Sequence, residues 1–273
     1  MNNILEIDNI CKKYDSFELK NVSFSLPRGY IMGFVGPNGA GKTTTIKAIL
    51  GAVKTESGTI KTIDNNETGV VMDNPFYPQF ARIKSVEEMV APFYEDWDSI
   101  SFKKYLKKFN LDKEKKIVDL SRGMKMKLQL AIAFSHNAKF LILDEPTSGL
   151  DVLARDEICD ILREFVCDET RSVLFSTHIT SDLEKTADYI TFILNGGVIY
   201  TGTKDDFLDK YRRVSGDNRV NIPDIIGKRS YRNGFEGMIL KEHIDKIPQD
   251  VLVENISLEE IIIFLSKGEI NNE

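Results

Sequence analysis

An α/β fold is predicted for this chain by three observations. A short apolar run, Tyr30-Ile-Met-Gly-Phe-Val35, feeds a glycine-rich turn, Gly36-Pro-Asn-Gly-Ala-Gly-Lys-Thr-Thr44, and then a helical stretch, 44–50. A second run, Lys139-Phe-Leu-Ile-Leu-Asp144, ends in two adjacent carboxylates, Asp144 and Glu145. A third, Ser172-Val-Leu-Phe-Ser-Thr-His178, ends in a histidine. Continuous apolar runs separated by helical patterns mark strands buried on both faces of a sheet.

The elements follow in order. Ile4-Leu-Glu-Ile7 and Asn21-Val-Ser-Phe-Ser-Leu26 alternate apolar and polar residues at period two and are expected as strands of an antiparallel β subdomain, with Cys11-Lys-Lys-Tyr14 between them. Pro27-Arg-Gly29 turns the chain into the strand at 30–35, and Gly51 closes the helix after the glycine-rich turn. Ser57-Gly-Thr-Ile-Lys61 and Thr68-Gly-Val-Val-Met72 are expected to pair around a turn at Asp64-Asn-Asn66.

At Asp73-Asn-Pro-Phe-Tyr-Pro78 the texture changes, and an inserted helical subdomain is expected at about 76–136. Ser85-Val-Glu-Glu88 has the form of a capping box, and a further helix begins near Gly123. In the stretch 101–109, Phe102, Tyr105, Leu106 and Phe109 share one helical face and four lysines the other, which suits either a solvated face or a membrane-surface patch. Val152 to Cys167 is an amphipathic helix, and Ser181-Asp-Leu-Glu184 is expected to cap a short one. Tyr189-Ile-Thr-Phe-Ile-Leu194 and Val198-Ile-Tyr200 form a hairpin on an Asn195-Gly196 turn. Beyond Lys204 the pattern weakens, so residues 205–273 are expected as a small α+β appendage to a domain spanning 1–204. Its helix is opened by Ser257-Leu-Glu-Glu260.

Composition narrows the function. Of 273 residues, 42% are hydrophobic, enough for a sizeable core, and the net charge of −6 argues against nucleic acid as the main partner. Cys11, Cys159 and Cys167 form neither a C-x-x-C pair nor a metal-ligand spacing, which points to a reducing, cytosolic compartment. The opening Met1-Asn-Asn-Ile-Leu-Glu has no signal-peptide character, and no run approaches the ~18 apolar residues of a membrane span. If the protein works at a membrane, another chain is expected to span it.

The glycine-rich turn satisfies the phosphate-binding pattern G-x-x-x-x-G-K-[ST] at Gly36, Gly41, Lys42 and Thr43. A polyphosphate packs several negative charges into a small volume, and a loop whose backbone N–H groups converge on one centre can hold it. Gly36, Pro37, Asn38, Gly39, Ala40, Gly41, Lys42, Thr43 and Thr44 are therefore the candidate loop, with the next helix pointing its N-terminus at the phosphates. Lys42 is expected between the β- and γ-phosphates and Thr43 on Mg²⁺. Asp144 suits Mg²⁺ directly or through water, and Glu145 suits the orientation or deprotonation of a water.

Leu120-Ser-Arg-Gly-Met124 adds the specific information. Here the chain resembles the ATP-binding cassette family, whose signature Leu-Ser-Gly-Gly-Gln stands before a helix leading to the acid-bearing strand. Leu120, Ser121 and Gly123 are kept, while Arg122 and Met124 depart. The resemblance covers roughly residues 3–204 and implies ATP and Mg²⁺ as ligands. Tyr14 sits where the family stacks an aromatic on adenine, the alternative being a strand-edge core tyrosine. Ser148-Gly-Leu-Asp151 matches the loop that crosses to a partner subunit, and His178 the histidine that contacts the γ-phosphate. Asp73 stands where the family has a glutamine that links Mg²⁺ and the attacking water to the transmembrane subunit, so a carboxylate replaces an amide there.

The resemblance further implies that Ser121 and Gly123 serve an ATP held by a second cassette subunit, identical or different. Hydrolysis with Lys42, Glu145 and His178 would drive a separate transmembrane permease from the cytoplasmic face of the cell membrane. Leu120-Ser-Arg-Gly-Met-Lys-Met-Lys-Leu128, Phe93-Tyr-Glu-Asp-Trp97 and Ser257-Leu-Glu-Glu-Ile261 look like bacterial exporter ATPases for drugs, antibiotics or envelope lipids. The alternative is a soluble cassette ATPase acting on ribosomes or DNA. Those usually carry two cassettes or a long coiled-coil insertion, and neither pattern is present in this sequence.

Overall fold

The chain opens in a long ribbon: β1 (Asn3–Tyr14) pairs antiparallel with β2 (Phe17–Pro27), Tyr14 opposite Phe17. Both strands run well past the short alternating segments that predict them, because positive-φ asparagines, Asn9 and Asn21, and register shifts let the ladder continue through polar sequence. The computed structural model describes residues 2–72 and 77–270. It divides into two compact units, 1–199 and 200–273.

β3 (Ile31–Val35) follows, with every residue buried, and leads through the phosphate-loop sequence into α1 (Lys42–Ile49). β4 (Ser57–Thr62) returns to β1 antiparallel, giving a three-stranded sheet ordered β2-β1-β4. β5 (Thr68–Val71) joins a different sheet, parallel to β6 (Phe140–Asp144). The expected pairing of 57–61 with 68–72 is therefore corrected. Between β4 and β5 the chain makes a 3-10 turn at Asn65–Glu67, with the Asp64 side chain accepting the Asn66 N–H at 2.8 Å. That turn carries it from one sheet to the other.

The stretch between β5 and β6 contains α2 (Ile83–Val90), α3 (Ser99–Lys108) and α4 (Arg122–Ser135). Ser85 does not cap α2, which starts after Arg82. The first amides of α2 are satisfied from a distant loop instead: Ile83 N–H donates to Lys115 O and Lys84 N–H to Lys113 O, both at 3.1 Å. α3 is capped by Asp98, whose carboxylate accepts the Ile100 and Ser101 amides.

After β6 come α5 (Val152–Val166), β7 (Ser172–Thr177), α6 (Thr180–Thr186), β8 (Tyr189–Leu194) and β9 (Gly197–Thr203). Ser181 lies inside α6 rather than at its cap; the helix starts after Ile179, whose N–H is taken by Thr177 Oγ1. Asn195 and Gly196 both have positive φ, 48° and 80°, as a two-residue hairpin turn requires. The second sheet is ordered β5-β6-β7-β3-β8-β9, and β5 through β8 are parallel. Phe24, Leu26, Met32, Phe34, Ile46, Phe140, Ile142 and Leu174 share one core that joins the two sheets and α1.

The second unit is built on β10 (Tyr211–Gly216), β11 (Ile226–Tyr231), β12 (Gly234–Leu240) and β13 (Leu252–Glu254) in the antiparallel order β11-β12-β10-β13. α7 (Lys204–Asp209) precedes it and α8 (Leu258–Ile270) ends it. Val214, Ile222, Phe235, Ile239 and Val251 form its core. The expected capping box is present: Ser257 Oγ accepts the Glu260 N–H, and Glu260 Oε2 accepts the Ser257 N–H at 3.0 Å.

Candidate active site

Sheet order brings the chemistry together. β7 lies between β6 and β3, so the acid pair after β6, the histidine after β7 and the loop after β3 all open at the same carboxyl edge. A cleft of about 590 Å³ there is lined by Asn38, Gly39, Gly41, Lys42, Thr43, Thr44, Glu145, Ser148 and His178, together with Ser16 and Phe17.

The loop needs its glycines. A Cβ on Gly36 would stand 2.3 Å from Ile193 O, and one on Gly41 (φ +112°) would meet Leu19 and Phe17 under 3 Å. Lys42 is only 6% exposed, with Nζ donating to Gly36 O at 2.7 Å and Pro37 O at 3.3 Å. Nζ also stands 3.4 Å from Glu145 Oε1. Pro37 and Ala40 shape the turn, Ala40 N–H donating to Pro37 O.

Asp144 is buried and fully used: Oδ2 accepts from Thr43 Oγ1 at 2.9 Å, and Oδ1 from Ser176 Oγ at 2.6 Å. Glu145 follows with φ at +51°, a conformation that costs a non-glycine residue roughly 1–3 kcal/mol. Ser176 Oγ holds it there by accepting the Glu145 N–H at 3.0 Å. The turn swings the Glu145 side chain away from Asp144 and into the cleft. His178 Nδ1 lies 2.8 Å from Glu145 Oε2; a carboxylate only accepts, so Nδ1 carries the proton.

A buried carboxylate on α6, the helix that follows this histidine, ties that helix to the loop after β6. Asp182, on α6, accepts from Thr147 Oγ1 at 2.6 Å, and the Arg155 guanidinium sits 3.9 Å away. Burial pushes the Asp182 carboxyl up. Arg155 also reaches Leu150 O, inside the Ser148–Asp151 segment.

Other expected residues stand apart. Among the described residues, Tyr14, Ser121, Gly123 and Asp151 do not line the cleft. Tyr14 is 42% exposed with the Lys12 ammonium 5.6 Å from its ring centroid, and its cross-strand partner Phe17 occupies the cleft wall. Ser121 is the N-cap of α4, Oγ accepting the Met124 N–H at 3.2 Å, and Gly123 faces Ala154 of α5. Asp151 caps α5 through the Ala154 N–H at 2.9 Å. Asp73 lies outside the described residues.

Sequence reasoning missed Phe17, Ser16, Ser176 and Gln129. Gln129, on α4 and 4% exposed, clamps the backbone where the chain leaves β5: Oε1 accepts the Met72 N–H at 3.0 Å and Nε2 donates to Met72 O at 3.1 Å. Gln129→Ala strips partners from two backbone groups at once. It is expected to lower stability by about 2 kcal/mol, read from chemical denaturation.

The chain matches the family model described as ABC transporter over residues 19–148. It is 36% identical over 211 residues to the uncharacterised ABC transporter ATP-binding protein YxlF of Bacillus subtilis (strain 168), covering 73% of this chain and 70% of that one. It is 33% identical over 208 residues to the lantibiotic transport ATP-binding protein SrtF of Streptococcus pyogenes, covering 72% and 89%. A solved structure of the ATP-binding subunit of an ABC transporter superposes with a TM-score of 0.67 at 26% identity, covering 74% of this chain and 91% of that one.

Proposed function

The chain belongs to the ABC transporter family as an ATP-binding, ATP-hydrolysing subunit, and from that premise we propose that it binds ATP with Mg²⁺ in the cleft, pairs with a second cassette, and drives export through a separate membrane-spanning subunit. The observation that carries this reading is the convergence of Lys42, Thr43, Asp144, Glu145 and His178 at one sheet edge.

The donor set fits Mg²⁺. Thr43 Oγ1 and Asp144 Oδ2 are hard oxygens 2.9 Å apart, and Ser176 fixes the carboxylate from behind. Bound there, Mg²⁺ supplies charge neutralisation on phosphate oxygens. The chain's own residues do the rest. Lys42 and His178 each direct a donor at Glu145. A triphosphate concentrates more negative charge than one carboxylate, so it competes for both donors. Lys42 then binds phosphate, His178 turns to the terminal phosphoryl group, and the freed Glu145 carboxylate takes a proton from the attacking water. Tyr14 and Phe17 are the candidates to flank the adenine. Ser121, Gly123 and Asp151 stand off this cleft, which supports their serving an ATP on a second cassette.

Among the described residues, no helix is long and apolar enough to cross a membrane. On this reading the transport path belongs to another subunit, with this chain on the cytoplasmic face, which the transporter-subunit relatives support. The lantibiotic-transport relative supports export of an antibiotic-like cargo. The test is purification of the tagged chain from its own membranes. The expected companion is a multi-span protein whose reconstitution with the chain stimulates ATP hydrolysis. Recovery with ribosomes or DNA and no membrane protein would favour the non-transport alternative instead.

A further inference from the structure

The outward face of α3 takes no part in the nucleotide chemistry. Ile100, Lys103, Lys104 and Lys107 recur along it at i, i+3, i+4 and i+7, one continuous stripe opposite the buried Phe102 and Leu106. All four are exposed, Ile100 by 80%. Nearby lysines are neutralised: Lys108 pairs with Glu164 at 2.6 Å and Lys84 with Glu114 at 2.8 Å. Lys103, Lys104 and Lys107 have no carboxylate partner among the described residues. Past the helix, residues 109–116 add Lys113, Lys115 and Lys116 against Asp112 and Glu114, with Lys84 already on Glu114, while Glu95, Asp96 and Asp98 lie before its N-terminus, so the positive charge is carried by the stripe and the segment that follows it.

This field stands on a chain whose net charge is −6, so solubility does not call for it. Its chemistry selects a partner. The stripe holds lysine and no arginine. Lysine is a hydrated point charge on a flexible stem, without the planar fork that grips a single shaped carboxylate. Such a set suits a diffuse sheet of anionic headgroups, and an exposed isoleucine at its head suits the apolar boundary beneath them.

We propose that the Ile100, Lys103, Lys104 and Lys107 stripe docks on the anionic lipid surface of the membrane, holding the helical stretch against the bilayer independently of the spanning subunit. The proposal rests on the chain's working at a membrane, and it adds a contact to lipid itself.

The experiment uses the purified full chain and vesicles, with no partner present. Wild type is expected to cosediment with vesicles containing phosphatidylglycerol, to release as salt rises, and to ignore pure phosphatidylcholine. The variant carrying Lys103→Gln, Lys104→Gln and Lys107→Gln is expected to partition roughly a hundredfold more weakly, with basal ATP hydrolysis unchanged as the check on folding. Ile100→Ser is expected to weaken binding with no change in its salt dependence. Equal binding to both vesicle types, or undiminished binding by the triple variant, would overturn the proposal. So would a triple variant that binds vesicles normally but loses the spanning subunit in neutral lipid, which would make the stripe a protein-docking surface. Co-purification of the wild-type chain with a spanning subunit stays a separate readout, so the lipid contact can fail while the transport reading stands.

Discussion

Glu145→Gln is expected to bind ATP at least as tightly as wild type and to hydrolyse it about 10²–10⁴-fold more slowly, the range that a positioned general base contributes. Glutamine keeps the shape of the side chain but has one acceptor oxygen in place of two and cannot hold the water's proton. The same change removes the carboxylate 3.4 Å from Lys42 Nζ and 2.8 Å from His178 Nδ1. The two donors then share one neutral acceptor in place of a carboxylate, which favours the triphosphate in the ground state. Equilibrium nucleotide binding and phosphate release, both with the spanning partner present, separate the two effects. Near-normal turnover would remove Glu145 from the role, and weakened binding would contradict the competition between Glu145 and phosphate for Lys42 and His178.

Lys42→Ala carries the opposite signature. Its ammonium is buried and positioned by two loop carbonyls, so it arrives at a phosphate already oriented. A hydrogen bond to a charged group is worth ~1.5–3 kcal/mol, which places the loss of ATP affinity at roughly 10–100-fold. Hydrolysis falls with occupancy and does not recover fully at saturating ATP, because the same charge stabilises the transferring phosphoryl group. Isothermal titration gives the affinity, and an unchanged thermal melt without nucleotide separates lost binding from lost fold. Wild-type affinity in a folded Lys42→Ala protein would mean that the loop amides alone hold the phosphates.

These two residues were legible because each stands in a contiguous motif whose strand context the sequence also carries. The two-sheet pairing was not. Period and apolarity identify 57–61 and 68–72 as strands, yet neither says which neighbour each will find, and β4 and β5 end in different sheets. The cap at Ser85 failed for a related reason: the α2 amides are satisfied by Lys113 and Lys115 carbonyls about thirty residues on, and no local pattern announces a distant acceptor; at α6 a nearer hydroxyl, Thr177, took the amide before the helix and left Ser181 inside it. Ser176 and Gln129 did leave a trace. Ser176 is a polar residue inside a wholly buried strand, and Gln129 shares the buried stripe of Met126, Leu130 and Ala133. In both places a polar side chain at an apolar position marks a group with a fixed partner. Phe17 left none, because only the pairing of β1 with β2 sets it opposite Tyr14 and at the cleft.

Whether ATP is hydrolysed between two chains is tested most directly by mixing two inactive variants. Ser121 Oγ caps its own helix, so Ser121→Ala alone also costs α4 about 1 kcal/mol, and a loss of activity in that single variant is ambiguous. Mixing removes the ambiguity. A Lys42→Ala chain and a Ser121→Ala chain are combined under conditions that allow exchange, with the spanning partner present. If Ser121 serves the ATP of the opposite copy, a mixed pair gathers both lesions in one site and leaves the other intact, so hydrolysis rises above that of either variant alone. If Ser121 serves its own chain, every site carries a lesion, and for a cassette that pairs with its own copy, activity no higher than the better single variant would contradict the two-chain site.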